Sequence, residues 1–252
     1  MTALPEISYQ LYSSRNFPDL ERQARMLAGI GFRHVEPFGG LLGDVAALRA
    51  ALDAHGLDAP STHIGAQMLR EDFAGTMAKL NMLGVKIAIL PAVPAAERVQ
   101  DAAGWKALGK ELALYARRAA DHGLGFAWHN HDFEFAALAD GSMPMDWILG
   151  DEPKLQWQVD IAWMIRGAQD PAAWISRYSS RVVSFHVKDL APAGECMDED
   201  GWADVGHGTI DWAAMLPVMR ATPARLYTLE HDHPMDDVRF ATRSYATVTG
   251  WK

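Results

Sequence analysis

The sequence predicts an α/β protein, a single (β/α)8 TIM barrel over residues 1–252, and three observations carry that expectation. The length of 252 residues is the usual size of such a barrel. Short apolar runs rich in branched and aromatic residues alternate with longer stretches of helical periodicity, as parallel strands joined by crossover helices require. Several helical stretches stop at a glycine, the residue that accepts the left-handed conformation at a helix end.

Eight strand candidates follow in order: Ile7 to Leu11, His34 to Pro37, Ala59 to Ile64, Lys86 to Leu90, Gly125 to His129, Leu155 to Asp160, Val182 to His186 and Arg225 to Glu230. Between the first of these, Phe17 to Ile30, Asp44 to His55, Glu71 to Leu83 and Trp105 to His122 carry apolar residues at helical spacing. Gly31, Gly56, Gly84 and Gly123 mark their ends. Later helices are shorter, at Met145 to Leu149, Ala172 to Tyr178 and Trp212 to Arg220, so the barrel is expected to be irregular there. Ala191 to His207, rich in Gly, Asp and Glu, has no clear period and reads as a long loop after the seventh strand.

Composition narrows the functional classes. With 32 acidic against 23 basic residues the formal charge is -9, which opposes an extended grip on a phosphate backbone, so nucleic acid is not an expected partner. The single cysteine, Cys196, allows neither an internal disulfide nor a thiolate zinc site. Met1 to Gln10 lacks a basic segment followed by an apolar stretch, and no run of about 18 apolar residues occurs. The expectation is a cytoplasmic protein with no membrane partner, and a homo-oligomer fits the general habit of such enzymes.

In a barrel, residues at the carboxyl ends of the strands converge on one face. Polar residues at those ends are Glu36, His63, His129, His131 with Glu134, Asp160, His186, Lys188 and Glu230. Glu134, Asp160, His186 and Glu230 are separated by 26, 26 and 44 residues, which is one βα unit, another, and a third enlarged by the long loop. Three carboxylates and an imidazole suit a hard or borderline divalent cation. Asp160 ends a strand that should be buried, where an unpaired carboxylate demands a cation or several donors. Each of these residues also has a plainer reading. Asp160 can cap the next turn, His186 can be a hydrogen-bonded core histidine, and Glu230 can pair with Arg225 or Lys188.

The segments Phe126-Ala-Trp-His-Asn-His-Asp-Phe-Glu-Phe135, Gln158-Val-Asp-Ile-Ala-Trp163, Ser184-Phe-His-Val-Lys-Asp189 and Leu229-Glu-His-Asp232 occur in that order along the chain. In this they resemble sugar phosphate isomerase/epimerase-like proteins of the xylose isomerase-like TIM barrel superfamily. Val205-Gly-His-Gly-Thr-Ile-Asp-Trp212 is similar to that family's Gly-rich turn. The resemblance implies one divalent ion, Mn²⁺ first and Mg²⁺, Co²⁺ or Zn²⁺ next, held by Glu134, Asp160, His186 and Glu230, with a sugar or polyol as substrate. One departure stands out. Members with simpler isomerase activity place the first glutamate directly at the end of strand five, where this chain has Trp128-His129, so His129 or His131 is the alternative to Glu134 at the metal.

The expected reaction is proton removal at a carbon beside a carbonyl that the cation polarises, giving isomerisation or epimerisation. Glu230, Glu134 and His131 are the candidates for moving that proton. His129 is a further acid or base, since imidazole titrates near neutral pH, and Lys188 would stabilise an oxyanion or pair with Asp189. Glu36 and His63 are expected to bind substrate hydroxyls or anchor loops, and Trp163 to stack on the apolar face of a ring. The alternative activity is a lyase, dehydrating an inosose or cleaving a 3-keto glycoside, with a histidine protonating the leaving oxygen. The superfamily's endonuclease branch is opposed by the charge of -9. A non-catalytic sugar-binding barrel is opposed by the ligand set.

Overall fold

In the computed structural model, residues 5–98, 101–150 and 152–251 are described. The first four residues of the Met1 to Gln10 segment lie outside that set. Eight parallel strands form the barrel wall: β1 (Glu6–Gln10), β2 (His34–Glu36), β3 (Ser61–His63), β4 (Ile87–Leu90), β5 (Gly125–His129), β6 (Leu155–Asp160), β7 (Val182–Val187) and β10 (Leu226–Leu229). A short antiparallel hairpin, β8 (Asp189–Leu190) with β9 (Trp202–Ala203), is inserted before the last of them. The ladder runs β2-β1-β10-β7-β6-β5-β4-β3. Its two ends meet through an isolated parallel bridge, His34 to Asp58, and through the His63 N–H, which donates to Pro37 O at 2.9 Å. The result is a nearly closed TIM barrel.

Helices α1 (Leu20–Ile30), α2 (Val45–Ala54), α3 (Ala66–Glu71), α4 (Phe73–Leu83), α5 (Ala102–Asp121), α6 (Pro144–Leu149), α7 (Ile161–Arg166), α8 (Pro171–Arg177), α9 (Trp212–Arg220) and α10 (Asp237–Thr249) surround it. Aspartates cap most of them. Asp19, Asp44, Asp72, Asp101, Asp170, Asp211 and Asp236 each accept a backbone N–H in the first turn, satisfying a donor the helix itself cannot pair. At the other ends, the four glycines expected as stops all have positive φ, 123° at Gly31 and 66° at Gly56 among them.

Alternation along the strands explains both the core and the site. Tyr9, Phe126, Trp128, Trp157, Val159, Phe185, Tyr227 and Leu229 are buried, and rings among them meet side chains of the surrounding layer, as Phe126 meets Tyr115 of α5. Their neighbours in sequence are polar: Ser8, Gln10, Gln158, Asp160, Ser184, His186 and Thr228 are buried without solvent contact. The barrel interior is therefore unusually hydrophilic for a fold whose centre is commonly filled by branched aliphatic side chains.

Two expectations need correction. Ala191 to His207 is not an unstructured loop, because it contains β9 and a 3-10 turn at Met197–Glu199. Arg239 clamps this segment to α10 by bonding Glu199 Oε1 at 2.7 Å and Asp204 Oδ2 at 3.2 Å. Secondly, α3, α7 and α10 are helices outside the expected set, and the helix expected from Glu71 begins at Phe73 instead, because Glu71 ends α3 and Asp72 leaves the helical conformation to cap α4. Among the described residues no helix is long and apolar enough to cross a membrane.

Candidate metal centre and substrate cavity

Sheet register assembles the site. Asp160 at the end of β6 is the direct partner of His186 on β7, and His186 is the partner of Thr228, two residues before Glu230. His129 closes β5 opposite Gln158. One ligand atom from each of His129, Asp160, His186 and Glu230 lies within 4.8 Å of the other three, and all four residues are buried. His63, His129 and His186 form a second, overlapping group of the same kind.

Three features of this group suit a divalent cation. Asp160 Oδ1 accepts the Trp163 N–H at 2.8 Å, whereas Oδ2 is buried with no hydrogen-bond partner. A buried carboxylate oxygen of that kind needs positive charge. His186 Nδ1 and Glu230 Oε2 are 2.8 Å apart, close enough for one ion to bond both. The donor set, two imidazoles and two carboxylates, matches borderline divalent ions.

Electrostatics point the same way. Burial works against a charged imidazole at His186, yet the carboxylates of Glu230 and Glu36 on either side raise it to about 10. Burial pushes Asp160 up to about 6, partly offset by Lys188. Glu230 is held well below the usual carboxylate range: burial opposes this, and the charges of Lys188 and His186 prevail. His129 is pushed well down by burial and by the neighbouring His186. Positive charge is concentrated where carboxylates converge, which is the arrangement a cation would take over.

Lys188 lies fully buried beside this group, its Nζ 3.0 Å from Glu230 Oε2, 2.8 Å from Asp232 Oδ2 and 3.8 Å from Asp160 Oδ2. The same ammonium sits 4.4 Å from the centre of the Trp202 ring and 5.2 Å from that of Trp163. Pairing with Asp189, the plainer sequence reading, does not occur. Asp189 instead accepts from the backbone N–H groups of Leu190, Gly206 and Ile210 and from the Trp212 indole, pinning the Gly-rich turn.

A cavity of about 340 Å³ opens over the centre and is lined by Tyr12, Phe38, His63, His129, His131, Glu230 and Asp232 among others. Its size suits a small ligand. His131 Nδ1 is buried with no hydrogen-bond partner among the described residues, and the ring packs against Phe133 at 5.8 Å and Trp163 at 5.3 Å. Burial, then the charge of Lys188, lowers its pKa to about 3. A larger groove of about 720 Å³ lies between α5 and α6. Arg117 pairs there with Glu152 and Arg177 with Asp146, and neither histidine group touches it, so it is not the chemical site.

Not every expected residue arrives at the centre. Glu134 is absent from both ligand groups: its carboxylate accepts the Trp128 indole N–H at 2.9 Å and the His131 backbone N–H at 2.9 Å. The 3-10 turn at Phe133–Phe135 turns it away from the strand end, and burial pushes its pKa up to about 8. The residue of β5 that does belong to the group is His129, directly at the strand's end. Glu36 does not line the cavity; it is buried beneath it, accepting from Gln10, Ser61 and Gln158 and facing His186 Nε2 at 2.6 Å. His63 and Trp163 do reach the site, His63 on the cavity wall and Trp163 against His131 and Lys188.

Gln10, Gln158, Asp232 and Trp202 escaped the sequence reading. The signal for three of them was alternation: Gln158 stands two residues before Asp160, Asp232 two after Glu230, and Gln10 ends the first strand. Trp202 comes from the hairpin within Ala191 to His207, whose sequence has no clear period and gives no comparable signal.

The family model described as xylose isomerase-like TIM barrel matches residues 24–245, and the chain belongs to that family. Among solved structures, a sugar phosphate isomerase/epimerase from Parabacteroides distasonis is similar with a TM-score of 0.77 at 21% identity, over 97% of this chain and 93% of that one. The IolI protein, solved with a bound zinc atom, gives 0.76 at 13% identity, over 97% of this chain and 96% of that one. The 3-keto-D-glucoside 4-epimerase YcjR from E. coli gives 0.69 at 19% identity, over 98% and 100%. No curated protein matches the sequence.

Proposed function

We propose that the chain is a divalent-cation-dependent isomerase or epimerase of a keto sugar or related polyol. The observation that carries this reading is the convergence of His129, Asp160, His186 and Glu230 beneath a cavity, with Asp160 Oδ2 buried without a hydrogen bond and only Lys188 Nζ, at 3.8 Å, to balance its charge. Similar structures named as a sugar phosphate isomerase/epimerase, a 3-keto-D-glucoside 4-epimerase and a zinc-binding protein support it. Glu134, the fourth ligand expected from the sequence, gives way to His129. Mn²⁺ and Zn²⁺ both suit this mixed donor set.

A bound divalent ion supplies Lewis acidity, polarising a substrate carbonyl so that the adjacent C–H becomes acidic. The remaining work falls to the protein. Glu230, ionised and on the cavity wall, accepts a proton from a carbon presented above it. The neutral His131 imidazole, with a free Nδ1, receives or relays a hydroxyl proton on the other side of the cavity. Lys188 holds Asp232 at the rim and keeps positive charge near the oxygen that becomes negative. Trp163 and Phe133 flank His131 and fix its plane, and Tyr12 and Phe38 give the opposite wall an apolar face for a ring.

The unpartnered His131 Nδ1 also favours a second reading, a lyase in which this imidazole assists departure of a β-oxygen. One experiment separates the two. Proton NMR in D₂O of the Mg²⁺- or Zn²⁺-loaded protein with ketohexoses, inososes and 3-keto glycosides is expected to show deuterium entering the carbon beside the carbonyl. Exchange without loss of water or aglycone supports the isomerase; release of either supports the lyase. No exchange with any compound, despite bound cation, overturns both.

A further inference from the structure

A cation bonds an imidazole only through a nitrogen that carries no proton, so a histidine ligand works only if the other ring nitrogen is made the donor. Three imidazoles crowd this centre. His63 stacks on His186 with centroids 5.0 Å apart, and His129 lies 4.5 Å from His186. Six ring nitrogens are therefore close together, and something must sort donors from ligands.

Below the cavity, Glu36 and Gln158 form a hydrogen-bonded pair in which the Gln158 amide donates to Glu36 Oε2 at 2.9 Å. The Ser61 hydroxyl donates to the same oxygen, and the Gln10 amide to Oε1 at 2.8 Å. Because the Gln158 amide nitrogen is committed to a carboxylate, its carbonyl must face the other way. That oxygen meets His63 Nε2 at 2.7 Å and His129 Nδ1 at 3.0 Å. A carbonyl can only accept, so both of those nitrogens are N–H. Turning the amide over would set its carbonyl against the Glu36 carboxylate and its NH₂ against two ring nitrogens. On the other side, Glu36 Oε1 meets His186 Nε2 at 2.6 Å, and an ionised carboxylate can only accept from it.

We propose that Glu36 and Gln158 are positioning residues that fix the tautomers of the metal centre, so that His129 presents Nε2 and His186 presents Nδ1 to the cation. The same contact makes His63 an Nε2–H donor and leaves its Nδ1 without a proton. His186 Nδ1 lies 2.8 Å from Glu230 Oε2 and carries a proton in that contact; a cation bonded to Glu230 would displace this proton and leave Nε2–H on Glu36. The charge of Glu36 further strengthens His186 as a ligand through the ring. The inference rests on the proposed cation site and adds which side chains prepare it.

Zn²⁺ titration by competition with a chromophoric chelator, together with long-range proton–nitrogen NMR of the imidazoles in the Zn²⁺-loaded protein, tests it. In the wild type, the spectra should show Nδ1–H for His129 and Nε2–H for His186. Glu36→Leu and Gln158→Leu should each weaken Zn²⁺ binding about 10- to 100-fold, the range typical of outer-shell partners. Glu36→Gln, which keeps an acceptor without the charge, should recover part of that loss. Should Glu36→Leu fail to fold by circular dichroism, Gln158→Leu and the wild-type spectra decide the matter. A wild type that takes up no stoichiometric Zn²⁺ overturns the proposed function. A wild type that binds Zn²⁺ while showing the opposite tautomers, or variants that bind as tightly as it does, overturns the tautomer assignment alone.

Discussion

The two halves of the barrel are built differently and contribute differently to the centre. From β1 to β4 the strands are short, β2 and β3 only three residues long, and the helices run from six residues in α3 to eleven in α1 and α4. From β5 onward the strands are longer on the whole, while the helices again vary, up to thirteen residues in α10. Strands β6 and β7 have six residues each, and α6 and α7 have only six. All four members of the Asp160 group come from this second half. The first half supplies Gln10, Glu36, Ser61 and His63, which hydrogen-bond beneath the group or at its edge.

The difference shows that strand register, rather than helix length, brings the Asp160 group together. Direct pairing of Asp160 with His186 places two of the proposed ligands side by side whatever the length of the helix outside. The first half can then act as a buttress. Its polar side chains satisfy one another around Glu36, whose carboxylate is fully buried, and a buried charge of that kind is tolerable only when it is paired and hydrogen-bonded.

Substitutions sharpen or break this division. The largest effect is expected at Asp160→Asn, which keeps a side-chain oxygen to cap α7 but removes the ligand charge. Divalent-cation affinity should fall by more than about 100-fold, beyond the loss typical of an outer-shell partner. Retention of full metal content on elemental analysis would place the cation elsewhere. Next comes His131→Ala, which should leave metal content intact and slow the D₂O exchange by about 10²- to 10⁴-fold, the usual contribution of a positioned acid or base. If it empties the site instead, His131 is a ligand. In the first half, Leu52→Ala on α2 removes a fully buried side chain and should cost about 2–5 kcal/mol in urea unfolding while the folded protein keeps its cation affinity. A large drop in affinity there would mean that the two halves are not separable.

The smallest effect is expected at Glu134→Gln. Burial raises Glu134 to about 8, above its ordinary value of 4.5, so the protonated form is favoured in the folded protein. Its contribution to stability is present in full below about pH 4.5 and is lost as pH rises through about 8. Glutamine does not titrate. The stability gap between wild type and variant should therefore be widest near pH 5 and narrow towards pH 8, with cation content unchanged. A gap that is flat with pH would show that the folded and unfolded forms hold this proton alike.

The sequence made the barrel legible because its strands are separated by capped, amphipathic helices, and most strand limits agree within two residues. Hydrophobic periodicity could not reveal α7, whose cap is Asp160 itself, so one residue is both strand end and helix start. Nor could it resolve β8 and β9, which are two residues each and depend on tertiary pairing. At the site, Asp160, His186 and Glu230 were readable because each ends or follows a strand. Glu134 lies apart from the group for a local reason: spacing of one βα unit counts residues but cannot see that the chain turns at Phe133 and spends the carboxylate on Trp128. The hub around Glu36 was unreadable in another way, since its members come from four strands, and their contacts follow from barrel closure.

The most direct test of the account is anomalous diffraction from crystals soaked in Zn²⁺ or Mn²⁺. A single peak is predicted within bonding distance, about 2.0–2.2 Å, of His129 Nε2, Asp160 Oδ2, His186 Nδ1 and Glu230. A peak bonded to Glu134, or crystals that take up no ion in this cluster, would contradict it.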